Sequence, residues 1–214
     1  SADFILVAAR ASQGESARGL TLFIVEANAA GLTRNLTASM DATRKIAELG
    51  FDNTAARSIG AMGEADAAIA ATLDFAAVAL ANEMVGGAQA LLESAVEYAK
   101  MRVQFGRTIG SFQAIKHKCA DMLLDVESAR SAAYCAARML ADADPEAAAT
   151  ACLAKAAASE AYVRTAAETI QIHGGIGFTW ENDTQLWFKR AKSSEVLLGD
   201  PSLHRERLMQ RWGY

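Results

Sequence analysis

The stretch IKHKCADMLLDVESARSAAYCAARML, residues 115–140, decides the fold. Ile115, Cys119, Met122, Val126, Ala129, Ala133, Ala136 and Leu140 recur at alternating intervals of four and three. That spacing puts side chains on one face of an α-helix. Upstream, Val78, Ala81, Val85, Ala88, Leu92, Ala95 and Ala99 repeat the pattern, and downstream Ala149, Cys152, Ala156, Ser159, Val163, Ala166 and Ile170 repeat it again. The stripes are built largely from small residues, and most of the chain's 48 alanines fall after residue 60. Small side chains on facing stripes let helix axes approach closely, as in a four-helix bundle.

The ends of these helices are written in the sequence as well. Asp144-Pro145-Glu146 offers a capping acid, a first-turn proline and an early carboxylate, and Gly174 is a natural stop. A shorter helix is predicted over residues 183–198, and Asp200-Pro201 opens a last one. Before residue 60 the pattern differs. Residues 4–9 and 20–25 are short apolar runs flanking a polar loop over residues 12–19, a plausible hairpin, and residues 46–51 form a third run closed by Asp52-Asn53. Three strands alone make a marginal sheet. The expected fold is mainly α: a partial antiparallel β-domain over residues 1–60, then a four-helix-bundle-like domain over residues 61–214.

Composition narrows the function. Lys+Arg 21 against Asp+Glu 25 gives a formal net charge of −4 without basic blocks, a poor match for nucleic acid or an anionic membrane. No uninterrupted apolar run reaches the roughly 18 residues of a membrane span. Cys119, Cys135 and Cys152 are odd in number and lie in helical patterns, which reads as buried free thiols in a reducing cytoplasm. His117 and Cys119 are two residues apart on a helix and face different ways, so they do not share a metal ion, and no metal site is expected.

Two clusters carry candidate chemistry. Arg102-Val103-Gln104-Phe105-Gly106-Arg107, with Ser111-Phe112-Gln113, concentrates guanidinium, amide and aromatic groups between two long helices. Arginine forks suit phosphate, and amides beside aromatics suit a planar ring system; alternatively the aromatics anchor a helix connection. Gln171-Ile172-His173-Gly174-Gly175-Ile176-Gly177-Phe178 follows a helix and precedes no strand, so it is no Rossmann turn. It is either a glycine C-cap or a place where backbone approaches a phosphate or ring closely.

In that order, RVQFGRTIGSFQ followed about 60 residues later by QIHGGIGF resembles the flavin-binding signature of acyl-CoA dehydrogenases. The front end, DFILVAAR and GLTLFIVEANAAGL, resembles the second part of that family's middle β-domain, so the likeness spans essentially the whole chain. It implies an FAD enzyme that oxidises an acyl-CoA thioester to the trans-2-enoyl product. It further implies electron-transferring flavoprotein as acceptor and a tetrameric homo- or hetero-oligomer. By the same resemblance, Arg102, Phe105 and Gln113 contact the pyrophosphate and adenosine of an FAD in a neighbouring subunit, with Gln171, Ile172 and Gly175 as a second group of contacts. The abrupt start at Ser1-Ala2-Asp3-Phe4 and the absence of the family's N-terminal helical domain imply a fragment of a protein nearly twice as long.

The resemblance breaks at the catalytic base. The reaction removes an α-proton, for which a desolvated carboxylate is expected. The family's usual glutamate precedes a glycine that matches Gly199, and here that position is Leu198; a minority place it at the position of Ala76. Glu83 is the leading substitute. It shares a helix face with Ala79, Leu80, Gly86, Gly87 and Ala90 and has no Lys or Arg one turn away along the chain, an unusual setting for a surface acid. The alternative is an exposed or inter-helix-bonded glutamate. Asp200 reads rather as a helix cap, and Glu195 as an ordinary helix acid. Lys189, Arg190, Lys192, His204, Arg205 and Arg207 read as a solvated face with salt bridges to Glu195 and Glu206. Three functions follow from the resemblance: an acyl-CoA dehydrogenase, a catalytically silent partner subunit that lends interface and FAD contacts to a sister chain, or an acyl-CoA oxidase, distinguished by reaction with oxygen.

Overall fold

The computed structural model describes residues 2–10 and 19–214. The chain divides into two compact units, Ser1–Ser39 with Arg44–Leu73, and Met40–Thr43 with Asp74–Tyr214.

The first unit is β. Strands β1 (Phe4–Ala9) and β2 (Thr21–Glu26) pair antiparallel, from Phe4 opposite Glu26 to Ala9 opposite Thr21. This is the expected hairpin; its connecting loop lies, except for Gly19, outside the described residues. The expected third strand is present as β4 (Ile46–Phe51), but it pairs with β3 (Leu32–Thr37) rather than with the hairpin. A short β5 (Arg57–Ile59) takes the other edge of β2. Neither β3 nor β5 announces itself as an apolar run. β3 reads Leu-Thr-Arg-Asn-Leu-Thr and is exposed along most of its length, so ladder hydrogen bonds rather than burial hold it.

The second unit is a helical bundle. It comprises most of α1 (Asp66–Met101), then α2 (Gln113–Ala141), α3 (Ala147–His173), α4 (Thr184–Val196) and α5 (Pro201–Arg211). Every residue of the stripe predicted on α1 is buried, as are Met122, Val126, Ala129, Ala133 and Ala136 on α2. Helix α3 departs from the two-faced expectation. Ala151, Ala154, Ala158, Tyr162 and Thr165 are buried beside its predicted stripe, which makes it the central helix. Alanine makes that position tenable. The Tyr162 ring lies where a side chain on Gly87 would begin, 2.6 Å from an added Cβ, so α1 and α3 meet almost backbone to ring. Inter-helix hydrogen bonds from Arg130 to Gln89 (2.6 Å) and from Thr169 to the Leu91 carbonyl (3.3 Å) tie α1 to both neighbours.

By length and composition α1 could cross a bilayer, which a search for uninterrupted apolar runs passes over because Asn82, Glu83 and Gln89 interrupt it. Its buried side chains form the core of the bundle. Of the three thiols only Cys152 is buried; Cys119 is half-buried and Cys135 exposed, because Cys135 lies one residue off the α2 stripe.

Candidate functional site

Helix α1 ends into a very short hairpin. Strands β6 (Val103–Gln104) and β7 (Arg107–Thr108) pair across a two-residue turn, Phe105 and Gly106, both with positive φ (55° and 77°), the pattern of a type I′ turn. The Arg102 carbonyl accepts from the Ile109 amide at 2.8 Å and closes the loop at its base. The Phe105 ring is 92% exposed at the tip. Arg107 lies 4.0 Å over the Phe112 ring, so this arginine is engaged within the loop.

The second cluster is the end of α3. Gly174, at φ 67°, caps the helix as expected, and residues 174–178 form a 3-10 turn whose Gly177 carbonyl accepts from the Thr184 hydroxyl at 2.8 Å. His173 is buried, its Nδ1 2.8 Å from the Thr169 carbonyl, and its ring stacks on Tyr98 with centroids 4.2 Å apart. Tyr98 is one turn before Arg102. The stack therefore fastens the end of α3 to the end of α1 and brings the two clusters together.

They share a cavity of about 440 Å³ lined by Arg102, Ile172 and Gly175 among the six expected contact residues, and by Tyr98, Gln104, Ile109, His173, Gly174 and Ile176 besides. Phe105, Gln113 and Gln171 lie outside its lining and are exposed. The guanidinium of Arg102 is exposed and makes no hydrogen bond or ion pair among the described residues. Among the described residues, nothing lies within 4 Å of where a side chain on Gly174 or Gly175 would begin. A free planar cation beside open, side-chain-free backbone fits a diphosphate, and the neighbouring aromatic and aliphatic groups fit a flat ring. Sequence reading missed Tyr98 and Ile109. The signal available for Tyr98 was its position four residues before Arg102, on the same helix face.

The other region of interest is the turn between α4 and α5. Leu198 has a left-handed φ of 64° and Gly199 a φ of 107°. Asp200 caps α5, its Oδ1 accepting from the Leu203 amide at 2.8 Å, as the sequence suggested. Lys155 is wholly buried and donates to the carbonyls of Glu195 (3.0 Å) and Gly199 (2.9 Å) and to the Ser159 hydroxyl (3.0 Å). Burial pushes its pKa down to about 8, against the pull of Glu195 and Asp200.

Glu83 is half-exposed and meets Arg190 of α4, whose Nη2 and Nε donate to its Oε1 at 2.7 and 3.1 Å. The absence of a nearby cation along the helix is thus made good from another element. Arg190 also donates to the Thr43 hydroxyl at 2.9 Å and lies 3.8 Å from buried Asp41. Burial pushes the Asp41 carboxyl up. Hydrogen bonds from Thr43 and Ser193, with the Arg190 charge, outweigh it and hold Asp41 below the usual carboxylate range. The basic stretch near the end is therefore not one solvated face. Lys192 pairs with Glu195 as expected, but Arg205 pairs with Glu160 rather than Glu206, and His204 is buried.

Comparison with known proteins agrees with this architecture. Residues 66–213 match the family model described as acyl-CoA dehydrogenase, C-terminal domain. The acyl-CoA dehydrogenase IpdE2 of Mycobacterium tuberculosis is 46% identical over 168 residues, 77% of this chain and 47% of that protein. Among solved structures, butyryl-CoA dehydrogenase from Megasphaera elsdenii superposes with a TM-score of 0.89 at 32% identity, covering 96% of this chain and 55% of that one. The ChsE4-ChsE5 complex from Mycobacterium tuberculosis gives 0.86 at 28% identity, covering 99% and 56%. The chain spans about half the length of the curated relatives it matches. A family model over most of the helical part, and a fold likeness that extends through the strands as well, lead to one conclusion: this chain belongs to the acyl-CoA dehydrogenase family.

Proposed function

We propose that the chain supplies one edge of the FAD site of an acyl-CoA dehydrogenase, whose assembled form oxidises an acyl-CoA thioester to its trans-2-enoyl product. The observation that carries this reading is the convergence of Arg102, Ile172 and Gly175, from two separated motifs, on one cavity whose only arginine is unpaired among the described residues. Bound FAD would supply the acceptor for the substrate hydride. The chain's own part is to hold it. Arg102 neutralises diphosphate charge, the backbone at Gly175 allows close approach, and Gln113 and Gln171 offer directional amides. Phe105 presents an exposed ring at the tip of its turn for an adenine-sized surface. A site open on one side is completed by a neighbouring chain, so cofactor binding and assembly are linked. Electron-transferring flavoprotein is the proposed acceptor.

The proton-abstracting carboxylate divides two readings. In the first, Glu83 is the base and leaves Arg190 when substrate binds. In the second, the chain is a silent partner subunit and the base stands on a sister chain. The ion pair between Glu83 and Arg190 favours the second, because it occupies the carboxylate that would have to take the proton. Both are tested on the assembled, FAD-loaded protein. Arg102→Ala should weaken FAD retention by about tenfold or more, equivalent to roughly 1.4 kcal/mol, and unchanged retention would remove the proposed site. With a base on Glu83, Glu83→Gln keeps FAD and loses substrate-dependent flavin bleaching. With a silent subunit, the wild-type homomer bleaches no flavin until a partner chain is added.

A further inference from the structure

The turn at residues 197–200 holds a conformation that its own residues do not favour. A left-handed φ at Leu198 is unfavourable for an ordinary L-residue and persists only where the surroundings dictate it. Two buried side chains from different helices reach its main chain. Lys155 of α3 joins the carbonyls of Glu195 and Gly199, on either side of Leu198. His204 of α5 places Nε2 3.1 Å from the Leu198 carbonyl itself. The His204 Nδ1 is buried without a partner among the described residues, which suits the neutral ring with its proton on Nε2. We infer that Lys155 is a positioning residue which, with His204, clasps the α4–α5 turn and holds Leu198 left-handed. The inference does not depend on the proposed FAD site or on which chain carries a base.

The groups facing the lysine from each packed element determine how the clasp responds to pH. Helix α4 presents Glu195, whose carboxylate also pairs with Lys192; the turn presents Asp200, already engaged in capping α5; α5 presents His204. Helix α1 presents Met84, 3.9 Å from the Ser159 hydroxyl that Lys155 contacts. Charged, Nζ donates to all three groups. Neutral, its two N–H groups suffice for the Glu195 and Gly199 carbonyls while its lone pair can accept from the Ser159 hydroxyl. The contacts thus serve both forms, and burial disfavours the charge. Closed, the lysine titrates near 8; released into water, it returns to the ordinary value of 10.5. The closed turn therefore binds a proton less readily than the open one. Opening is easiest below pH 8, and the clasp tightens as pH rises from about 8 to 10.5.

Hydrogen exchange of the 214-residue chain tests this directly. The amides of Leu197 and Gly199 donate to the Ser193 and Val196 carbonyls and report opening. Once intrinsic rates are divided out, their protection should rise about tenfold or more between pH 7 and pH 9.5, against the usual loss of stability in base. Lys155→Met, close in volume, should lower protection at both amides and flatten the profile. Lys155→Arg, charged throughout the range, should flatten it too. A wild-type profile that is flat or falls with pH overturns the inference without any variant, as does a Met variant protected like the wild type. A lysine that merely fills space would give those results.

Discussion

Two glycine-bearing turns, one at the end of α3 and one between α4 and α5, are built in opposite ways. At the end of α3, the positions where side chains on Gly174 and Gly175 would begin are empty to 4 Å, and the adjoining Arg102 is unpaired among the described residues. Between α4 and α5, a Cβ on Gly199 would stand 2.7 Å from Leu203 and 3.3 Å from His204, and the turn's carbonyls are taken up by Lys155 and His204. The first turn satisfies its Ile176 and Gly177 carbonyls with Thr179 and Thr184 but leaves the space at Gly174 and Gly175 open. The second leaves no such space. A glycine beside a charged side chain is thus no signature of a binding site by itself; what separates the two is whether the protein has already filled the space.

The largest effect expected from this contrast falls on Gly199. An alanine there meets both a backbone conformation that L-residues avoid and a side chain already in place. Together these should cost about 2–4 kcal/mol. A melt of the Gly199→Ala chain should show a midpoint lower by several degrees. An unchanged midpoint would mean the turn relaxes freely and is not clasped.

How much of this could be read in advance depends on the kind of contact. The helical stripes were legible because burial on α1 and α2 follows the chain's own period; all seven predicted α1 positions are buried. Gly174 and Asp200 were legible as caps because capping is local. Strands β3 and β5 were not, because an exposed, hydrogen-bonded strand leaves no apolar trace. The Arg190–Glu83 pair joins residues 107 positions apart, and a search one turn along α1 had no means of finding it. Lys155 went unnoticed for the same reason: it sits among the alanines of α3, and its carbonyl partners lie 40 and 44 residues onward.

The next effect is smaller and tests the packed side of the comparison on neighbouring residues. Gly87 and Gly86 adjoin on α1, yet a Cβ on Gly87 would strike the Tyr162 ring, whereas one on Gly86 would meet nothing within 4 Å. Replacing either by alanine gains helix propensity, about 0.5–1 kcal/mol. At Gly87 overpacking of about 1–3 kcal/mol exceeds that gain. Gly87→Ala should therefore lower the urea midpoint and Gly86→Ala raise it. Shifts of the same sign would mean that α1 and α3 are less closely packed than their small residues suggest.

The smallest effect on stability is expected where the candidate site is. Gly175 has open space and an ordinary φ, so Gly175→Ala should change the unfolding free energy of the isolated chain by no more than about 0.5 kcal/mol. The same methyl group would stand between the backbone and a bound diphosphate, so in the assembled protein it should reduce FAD retention while the melt of the cofactor-free chain stays put. That separation is what a ligand-facing turn requires. A glycine kept for the chain's own folding would lose stability first and cofactor only as a consequence. If the Gly175→Ala chain instead melts as early as Gly199→Ala, the turn at the end of α3 is a closed structural element like its counterpart. The cavity beside Arg102 would then lose its claim to the cofactor.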